Sequence, residues 1–530
     1  GVRTGSAGWS NGVMLSLQFK AHTRDPWSGE YVSSNGSVGL SCVTAAGRPM
    51  EHILIEDCSF SFYSLNLSLQ SAGPMSDVFV RRCQILDAYS VNSHSQGFYA
   101  HNAAVTLEET VFDHNGWLVQ GSNNIQAFGG ATMFNHNTYF SDCDECIFRD
   151  NIFLRSSSIQ NKWTSNLLGV DPVTNIVTEG NLYVDGEIGI SMGGNDTGDY
   201  RWVTITVTSN IFTNIGQSQP TGRTLGWGID VIDWSNGLVA DNLVIRQTNA
   251  AVANVYGINT GTQSGRDVLI RDNTLWGLNG GDALKPNGAG ITSITWLRNK
   301  VQANVAQTRA ANANAFPTGH VFRTNIYYST RAASDWFRLG SQACSFDQWA
   351  QQVGEAGSCT GKVAFVDPDR SVERYNALVG GAQSYTDFIA RVRQQSKRTW
   401  RPEYTAQAIN AWIRDGFRNA GAPLFPSVVI NDGATQTFSH TVMLSLSAED
   451  PVPVTMQISE SPDFGGAAWT AYTTRWAFTL SPAIGGKTVY ARFASGGSNI
   501  TDTASASIVL VPEPVGVIVA VALAIIARRT

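Results

Sequence analysis

Candidates for a general base and a partner cation stand in two short alternating segments of this sequence. Tyr99 and His101 lie in the segment GFYAH, and Lys162 lies in SIQNK. Tyr and His can accept a proton, and Lys can neutralise a carboxylate. Removal of the proton beside a uronate carboxylate needs both, so these residues suggest β-elimination on a uronate-containing polysaccharide. Arg155 could assist Lys162, and His94 lies just before the first segment.

Five segments supply further candidate contacts with such a substrate. In each segment we predict that an apolar residue points into a core and the next residue points outward, because strand side chains alternate. The predicted inner residues are Phe98, Ile159, Ile190, Ile229 and Ile258. The predicted outer residues are Tyr99, Gln160, Ser191, Asp230 and Asn259. His114, in DHNGW, could border the same surface.

Hydrolysis of a glycan is the weaker enzymatic option. It needs two carboxyl groups about 5–10 Å apart. Asp230 is the one acid among the five outer positions, and Asp113 and Asp233 are nearby candidates. Outward Tyr and His side chains could also bind sugar without cleaving it. A noncatalytic surface or biofilm-matrix protein, or an adhesin, is therefore the alternative to an enzyme.

A repeat runs through residues 1–331. Alternating apolar residues are followed by two polar residues, an Asn or small residue and, two positions later, a large apolar residue. Most copies are about 25 to 32 residues apart, but the step from Tyr139 to Phe153 is only 14. Such a period suits a coil of three short strands, and parallel coils stack at about 4.8 Å. The sequence predicts an all-β fold, a right-handed parallel β-helix, with one of the two closely spaced copies on another face.

Positions within the repeat predict which side chains are buried. The Asn position should form a ladder, because Asn tolerates left-handed backbone geometry and can hydrogen-bond along a stack. The ladder is expected at Asn137, Asn151, Asn181, Asn210, Asn242, Asn273, Asn299 and Asn325. Two positions later we predict an interior aromatic stack, which includes Tyr139. One position earlier we predict an exposed polar row, which includes His136.

Three smaller regions follow the repeat. Residues 332–425 contain two short amphipathic helices and should cap the open end of the β-helix, which otherwise exposes strand edges and apolar surface. Residues 426–510 contain β-rich segments that fit an immunoglobulin-like sandwich. Residues 511–530 hold an apolar run followed by two arginines. As a helix this run would span about 20 Å, which is short for a hydrocarbon core of roughly 30 Å.

The chain resembles bacterial right-handed β-helix proteins of the pectate-lyase type that carry an Ig-like module and a PEP-CTERM sorting tail. The matching segments are AHTRDP, NSHSQGFY, FDHNGW, FNHNTY, GWGIDV, WRPEYTAQAINAWIRDGF and the terminal VPEPVGVIVAVALAIIARRT. The resemblance implies a polysaccharide groove along one parallel sheet. It also implies export to the cell surface or extracellular matrix of a Gram-negative-type bacterium. An exosortase-type enzyme would remove the tail, so contact with the membrane would be transient.

Composition and motifs argue against several other functions. The 530 residues include 36 basic and 42 acidic residues, for a net charge of −6, so we predict no nucleic-acid partner. The sequence contains no phosphate-binding loop, zinc-protease motif or G-x-S-x-G elbow. Asp and Asn in the turns could bind Ca²⁺, but no compact acidic cluster encodes a site, so we predict no metal and no cofactor. Cys344 and Cys359 bracket a short loop and could pair in an oxidising compartment.

Overall fold

The computed structural model describes residues 1–4, 9–32, 36–45, 47–73, 75–91, 93–118, 130–165, 172–193, 202–261, 264–287, 290–305, 307–496 and 499–512. The predicted sorting tail lies almost entirely outside these residues. The chain divides into two compact units, residues 1–363 with 367–417, and residues 364–366 with 418 onward. Among the described residues, no helix is both long and apolar enough to cross a membrane.

The larger unit is a parallel β-helix, as the sequence predicts. Successive coils contribute strands to three sheets. Sheet 1 contains Val2–Arg3, Val38–Thr44, Leu65–Ser71, Gln96–His101, His136–Ser141, Ile159–Thr164, Ile188–Met192, Leu225–Val231, Asn254–Asn259, Asp282–Lys285, Arg309–Ala313, Phe337–Leu339 and Gln342–Cys344. Sheet 2 contains Gly12–Leu15, Met50–Glu56, Met75–Arg81, Val105–Glu108, Ile147–Arg149, Val173–Glu179, Trp202–Thr208, Trp234–Ala240, Ser264–Arg271, Gly290–Ile291, Ile294–Leu297 and His320–Arg323. Sheet 3 contains Gln18–Lys20, Ser59–Ser61, Gln84–Leu86, Val111–Asp113, Ile152–Leu154, Leu182–Val184, Ile211–Thr213, Leu243–Gln247, Thr274–Leu278, Lys300–Ala303, Ile326–Ser329 and Cys359–Thr360.

The core between the sheets consists of stacked columns of side chains. In sheet 3, parallel register places Phe112, Phe153, Tyr183 and Phe212 above one another. Their ring centroids are 4.9, 5.0 and 4.5 Å apart in succession, and all four residues are fully buried. Large buried rings contribute strongly to the stability of a core. The predicted interior aromatic stack is confirmed here.

The predicted asparagine ladder is confirmed at the turn between sheets 2 and 3. Along the ladder, each Nδ2 donates to the Oδ1 of the next Asn over 2.9–3.1 Å, and the backbone N–H donates to the same oxygen. Its members are Asn151, Asn181, Asn210, Asn242, Asn273, Asn299 and Asn325. The left-handed residue is the one before the Asn, such as Asp150 (φ 55°) or Asp272 (φ 56°). The Asn therefore supplies hydrogen bonds, and its predecessor makes the bend.

Asn137 lies outside this ladder, and the predictions for its neighbours are wrong. His136–Ser141 is a strand of sheet 1, which accounts for the short step in the repeat. Phe140 faces the core, whereas Tyr139 is half-buried on the outer side of the sheet. His136 is only 4% exposed, although we predicted an exposed side chain. The segment TMFNHNTY matches the repeat in letters but not in position.

The last coil is closed by aromatic side chains that follow the repeat. Phe337 packs against Tyr327 at 5.1 Å and against Trp349 at 5.2 Å between ring centroids. Trp349 lies on helix α1 (Phe346–Val353), which begins with a capping box between Ser345 and Gln348. In the same region Cys344 is buried and Cys359 is exposed, and the structure contains no disulfide bond between them.

Three further helices lie along the outer side of sheet 3. They are α2 (Val372–Leu378), α3 (Tyr385–Val392) and α4 (Ala406–Gly416), and we call residues 367–417 the strap. Nδ2 of Asn410 donates to the carbonyl of Gly180 over 2.7 Å. Nε2 of Gln84 donates to the carbonyl of Gln395 over 2.6 Å. The two amphipathic helices predicted from the sequence, α3 and α4, thus cover one side of the coils, and the prediction that they cap the open end is wrong. Short 3-10 helices lie at His22–Arg24, Ala333–Asp335, Pro402–Tyr404 and Asn431–Gly433.

The smaller unit contains two β-sheets around a separate core. One sheet has the strands Leu424–Ile430, Thr441–Glu449 and Arg475–Thr479. The other has Gln436–Thr437, Ala504–Leu510, Gly485–Ala494, Thr455–Ser459 and Thr470–Ala471. Leu444, Met456, Val489 and Phe493 are fully buried between them. Its assignment as an immunoglobulin-like module stays a prediction.

Candidate functional site

Seven side chains on the outer side of sheet 1 form one column in register. We call it the central column: Tyr99, Tyr139, Lys162, Ser191, Asp230, Asn259 and Lys285. Alternation points Phe98 and Ala100, both fully buried, to the opposite side of the same sheet. Four of the five predicted outer residues are members of this column. Tyr139 and Lys285 are members that the sequence analysis missed.

A second column lies beside the central column on the same face. We call it the flanking column, and its members in register are Ile159, Ile188, Trp227, Tyr256 and Asp282. The Tyr256 hydroxyl donates to Oδ1 of Asp230 over 3.0 Å, and Nζ of Lys285 lies 5.2 Å from the centre of the Tyr256 ring. The rings of Trp227 and Tyr256 stack at 4.7 Å. These contacts join the two columns into one surface of aromatic, basic and acidic groups.

Two carboxyl groups on this surface are protonated more readily than usual. Burial raises the pKa of Asp230, although Nδ2 of Asn259 and the Tyr256 hydroxyl both donate to it. Burial also raises the pKa of Asp282, which accepts a hydrogen bond of 2.8 Å from Nδ2 of Asn312. Tyr256 stands on the strand between them. A carboxylic acid with a raised pKa is suited to donate a proton at neutral pH.

The predicted base and cation share this face, with Tyr139 between them. Tyr99 pairs in register with Tyr139, and Tyr139 pairs with Lys162. Nζ of Lys162 donates to the carbonyl of Gly193 over 2.9 Å. Burial raises the pKa of Tyr99, which makes its hydroxyl harder to deprotonate. Tyr139 is therefore the tyrosine nearest to Lys162 in the sheet.

His101 and His94 lie beside the central column rather than in it. His101 pairs in register with Ser141, and its Nδ1 lies 3.4 Å from Oδ2 of Asp142. The hydrogen bond to Asp142 raises the pKa of His101, so its imidazole is protonated more readily. A smaller fraction of the protein molecules then carries a neutral His101 that can accept a proton. His94 is exposed, and its ring stacks on Phe134 with centroids 5.0 Å apart.

The prediction that Gln160 contacts substrate is wrong. Gln160 is fully buried, its Oε1 accepts a hydrogen bond from Asn137, and its Nε2 donates to the carbonyl of Asp185 over 2.8 Å. Together with Asn66 and Asn115 these residues form a second inner ladder. A buried amide needs such partners, and the letters SIQNK do not show that they are present.

The prediction that Ile159 faces the core is also wrong. The residue that faces the core is Asn161, which lies in register with Ile190. Nδ2 of Asn161 donates to Oγ1 of Thr138, and its Oδ1 accepts from the Tyr183 hydroxyl. Ile159 instead joins a separate apolar cluster that contains Ile188. The predictions for Phe98, Ile190, Ile229 and Ile258 are confirmed, because all four are fully buried.

Arg155 and His114 lie at sheet 3 rather than beside the central column. Arg155 follows a sheet 3 strand, and its guanidinium donates to both oxygens of Asp113 over 2.8 and 2.6 Å. His114 is 3% exposed, and its Nδ1 lies 3.1 Å from Oδ1 of Asp87. Asp113, a candidate for hydrolysis, is held by these arginine contacts. Asp233, the other candidate, is fully buried and accepts a hydrogen bond from Ser264.

Among the residues with described positions, no group of three or more His, Cys, Asp and Glu side chains could hold a metal ion. The central column offers one carboxylate, from Asp230, and the flanking column offers a second, from Asp282.

Comparison with known proteins identifies no family for this chain. No protein-family model matches the sequence, and no curated protein matches it. Among solved structures, the Dettilon tailspike protein (gp208) is similar with a TM-score of 0.25 and 9% sequence identity, over 89% of this chain and 83% of that protein.

Proposed function

We propose that the central and flanking columns bind an extended polysaccharide that contains uronate residues. The observation that carries the proposal is the register of seven outward side chains over six strand steps, about 29 Å at 4.8 Å per step. Trp227 and the two tyrosines of the central column provide flat faces for sugar rings, and the buried ring of Tyr256 stacks on Trp227. Lys162 and Lys285 provide positive charge for carboxylates.

Cleavage by β-elimination is the first reaction that we propose for this surface. Lys162 would neutralise the uronate carboxylate, which makes the neighbouring C–H more acidic. Tyr139, as its phenolate, would take that proton, the bond from the ring to the glycosidic oxygen would break, a carbon–carbon double bond would form, and the tyrosine would give the proton to the departing oxygen. Tyr99 is the less suitable tyrosine, because burial raises its pKa. His101 is a less suitable base, because Asp142 favours its protonated form.

Hydrolysis is the second reaction, and the two acids of raised pKa favour it. Asp230 or Asp282 would protonate the leaving oxygen while the other activates water. The strand of Tyr256 separates them, so their backbones are two strand spacings apart, about 9.6 Å along the axis. Asp282 could not be proposed from the sequence, because its segment lacks the pattern of the other five.

We also propose export to the bacterial cell surface or extracellular matrix, on the basis of the sequence of residues 511–530. An exosortase-type enzyme and, transiently, the membrane would be the partners of that tail. Expression of the full gene with and without these residues, followed by fractionation of cells and medium, tests this. An unchanged distribution between the fractions would contradict it.

Incubation with a panel of uronate polysaccharides distinguishes the reactions. β-Elimination yields an unsaturated product with new ultraviolet absorbance, and hydrolysis yields new reducing ends without it. Binding without either product supports the noncatalytic alternative, a matrix protein or adhesin. Absence of binding to every member would overturn the proposed function.

The variant Lys162→Met locates the binding surface. We expect affinity for a uronate polysaccharide to fall about tenfold, because a charge-assisted contact is lost. Lys397→Met, in the strap, is the matched control and should bind as the wild type does.

A further inference from the structure

A cavity of about 390 Å³ lies where the outer side of sheet 3 meets the strap. Its lining residues are Lys20, Asp25, Trp27, Phe62, Asp87, His114, Arg155 and Arg393. None of them belongs to the central or flanking column. A cavity of this size is large enough for a small ligand. We propose that it is a second carbohydrate site that binds a neutral sugar residue, and we call it the strap pocket.

The charges around the strap pocket are already paired with one another. Nζ of Lys20 lies 2.8 Å from Oδ2 of Asp25. Arg393, from the strap, pairs with both Asp87 and Asp113. Arg155 pairs with Asp113 as well. Three basic side chains thus face three carboxylates. A charged ligand would leave one of these groups without its partner, whereas a neutral ligand with hydroxyl groups would disturb none of them.

His114 adds a buried acceptor to the wall of the pocket. Because Asp87 accepts from Nδ1, the proton lies on Nδ1 and Nε2 is an acceptor. Nε2 is buried and has no hydrogen-bond partner among the described side chains and backbone. Burial lowers the pKa of His114 despite the hydrogen bond to Asp87, so the ring is neutral near pH 7. The His114 ring therefore adds no positive charge to the wall of the pocket, which favours a neutral ligand.

Trp27 supplies the apolar side of the strap pocket. Its side chain is 56% exposed, an unusual position for so large a ring, and it lies 6.4 Å from the Phe62 ring. A flat aromatic face beside paired polar groups matches a pyranose ring, which has an apolar C–H face and hydroxyl groups around its edge. The combination of Trp27, His114 and balanced charge is the basis of the proposal.

Titration calorimetry of the full chain with the methyl glycosides of glucose, galactose and mannose tests this proposal, with galacturonate as the anionic comparison. We expect at least one neutral glycoside to bind and galacturonate to bind more weakly than galactose. Trp27→Ala should weaken binding about tenfold. Because Trp27 is largely exposed, this variant should keep the wild-type melting temperature. Trp469→Ala, at a partly exposed Trp of the smaller unit, is the matched control.

A further variant separates the strap pocket from the central column. Lys162→Met, in the central column, should not change binding of the glycoside. Failure of every neutral glycoside to bind would overturn the proposal, as would equal affinity in wild type and Trp27→Ala. Tighter binding of galacturonate than of galactose would contradict the neutral class of ligand. None of these outcomes depends on polysaccharide binding at sheet 1.

Discussion

The outer sides of sheets 1 and 3 are built by the same coils, but their acidic side chains have different partners. At sheet 3, Asp113 is fully buried between Arg155 and Arg393, which outweigh burial and hold its pKa well below its usual range. At sheet 1, Asp230 accepts hydrogen bonds from neutral groups, and burial raises its pKa. Arg155 and Arg393 thus keep Asp113 ionised, whereas Asp230 is an acid whose protonation can change. Burial also raises the pKa of Asp185, which contacts Tyr385 of the strap, so such acids occur on both sides. Asp230 differs from Asp185 because it lies in the column that contains Lys162 and Lys285, which favours sheet 1 as the place for chemistry.

The largest expected loss of stability comes from a substitution on the side that the strap covers. Arg393→Met leaves Asp87 and Asp113 without one of their cations, so the free energy of unfolding should fall by about 3–5 kcal/mol. Urea denaturation measures this. Arg391→Met, on helix α3 of the strap, removes only a partly exposed pair with Asp387 and should have little effect. Equal effects of the two variants would show that the strap is not held by buried ion pairs.

The asparagine ladder between sheets 2 and 3 should give the next largest effect on stability. Asn242→Ala removes its donors to the carbonyl of Val207 and to Asn273, and leaves Asn210 without its acceptor. Each buried group left unpaired costs about 1–3 kcal/mol. Asn242→Thr, which introduces the residue type that Thr110 supplies at the equivalent position, should recover part of the loss. A melting temperature unchanged in Asn242→Ala would contradict the role of the ladder.

At neutral pH, Asp230→Asn should stabilise the protein, the opposite of a change at Asp113. The pKa of Asp230 is raised on folding, so its folded state binds more protons and stability falls as pH rises from about 3.8 through the folded pKa. The pKa of Asp113 is lowered on folding, so its contribution is present above about 3.8 and is lost as pH falls. Urea midpoints of Asp230→Asn and Asp113→Asn at about pH 4 and about pH 7 measure both. A change of stability in the same direction for both variants at neutral pH would contradict the difference between the two sheets.

The smallest effect on stability is expected at Lys285. Lys285→Met loses a cation–π contact between a half-buried lysine and the buried Tyr256 ring, worth about 1 kcal/mol. Its affinity for a uronate polysaccharide should nevertheless fall several-fold. Thermal melting and binding titrations on the same samples measure the two effects. A large loss of stability with unchanged affinity would make Lys285 a structural residue.

The sequence predicted the coils because their repeat is local and each Asn stands at a fixed place in it. It did not predict the register of sheet 1 around Tyr139 and Gln160, because the buried amides of Gln160 and Asn161 are held by partners on other coils, which the alternation of one strand does not reveal. The partners of Arg155 and His114 could not be predicted either. Arg393 meets Asp113 from 280 residues away, and no local pattern marks that contact. Asp282 was missed because only the register aligns it with Tyr256.

A polysaccharide site on the outer face of sheet 1 should protect its lysines from chemical modification. The protein is acetylated in the presence and absence of a uronate polysaccharide, and the modified peptides are quantified by mass spectrometry. We expect the polysaccharide to slow acetylation of Lys162 and Lys285 on sheet 1 and to leave Lys397 of the strap unchanged. Equal protection of all three lysines, or protection of Lys397 alone, would contradict a site on this face.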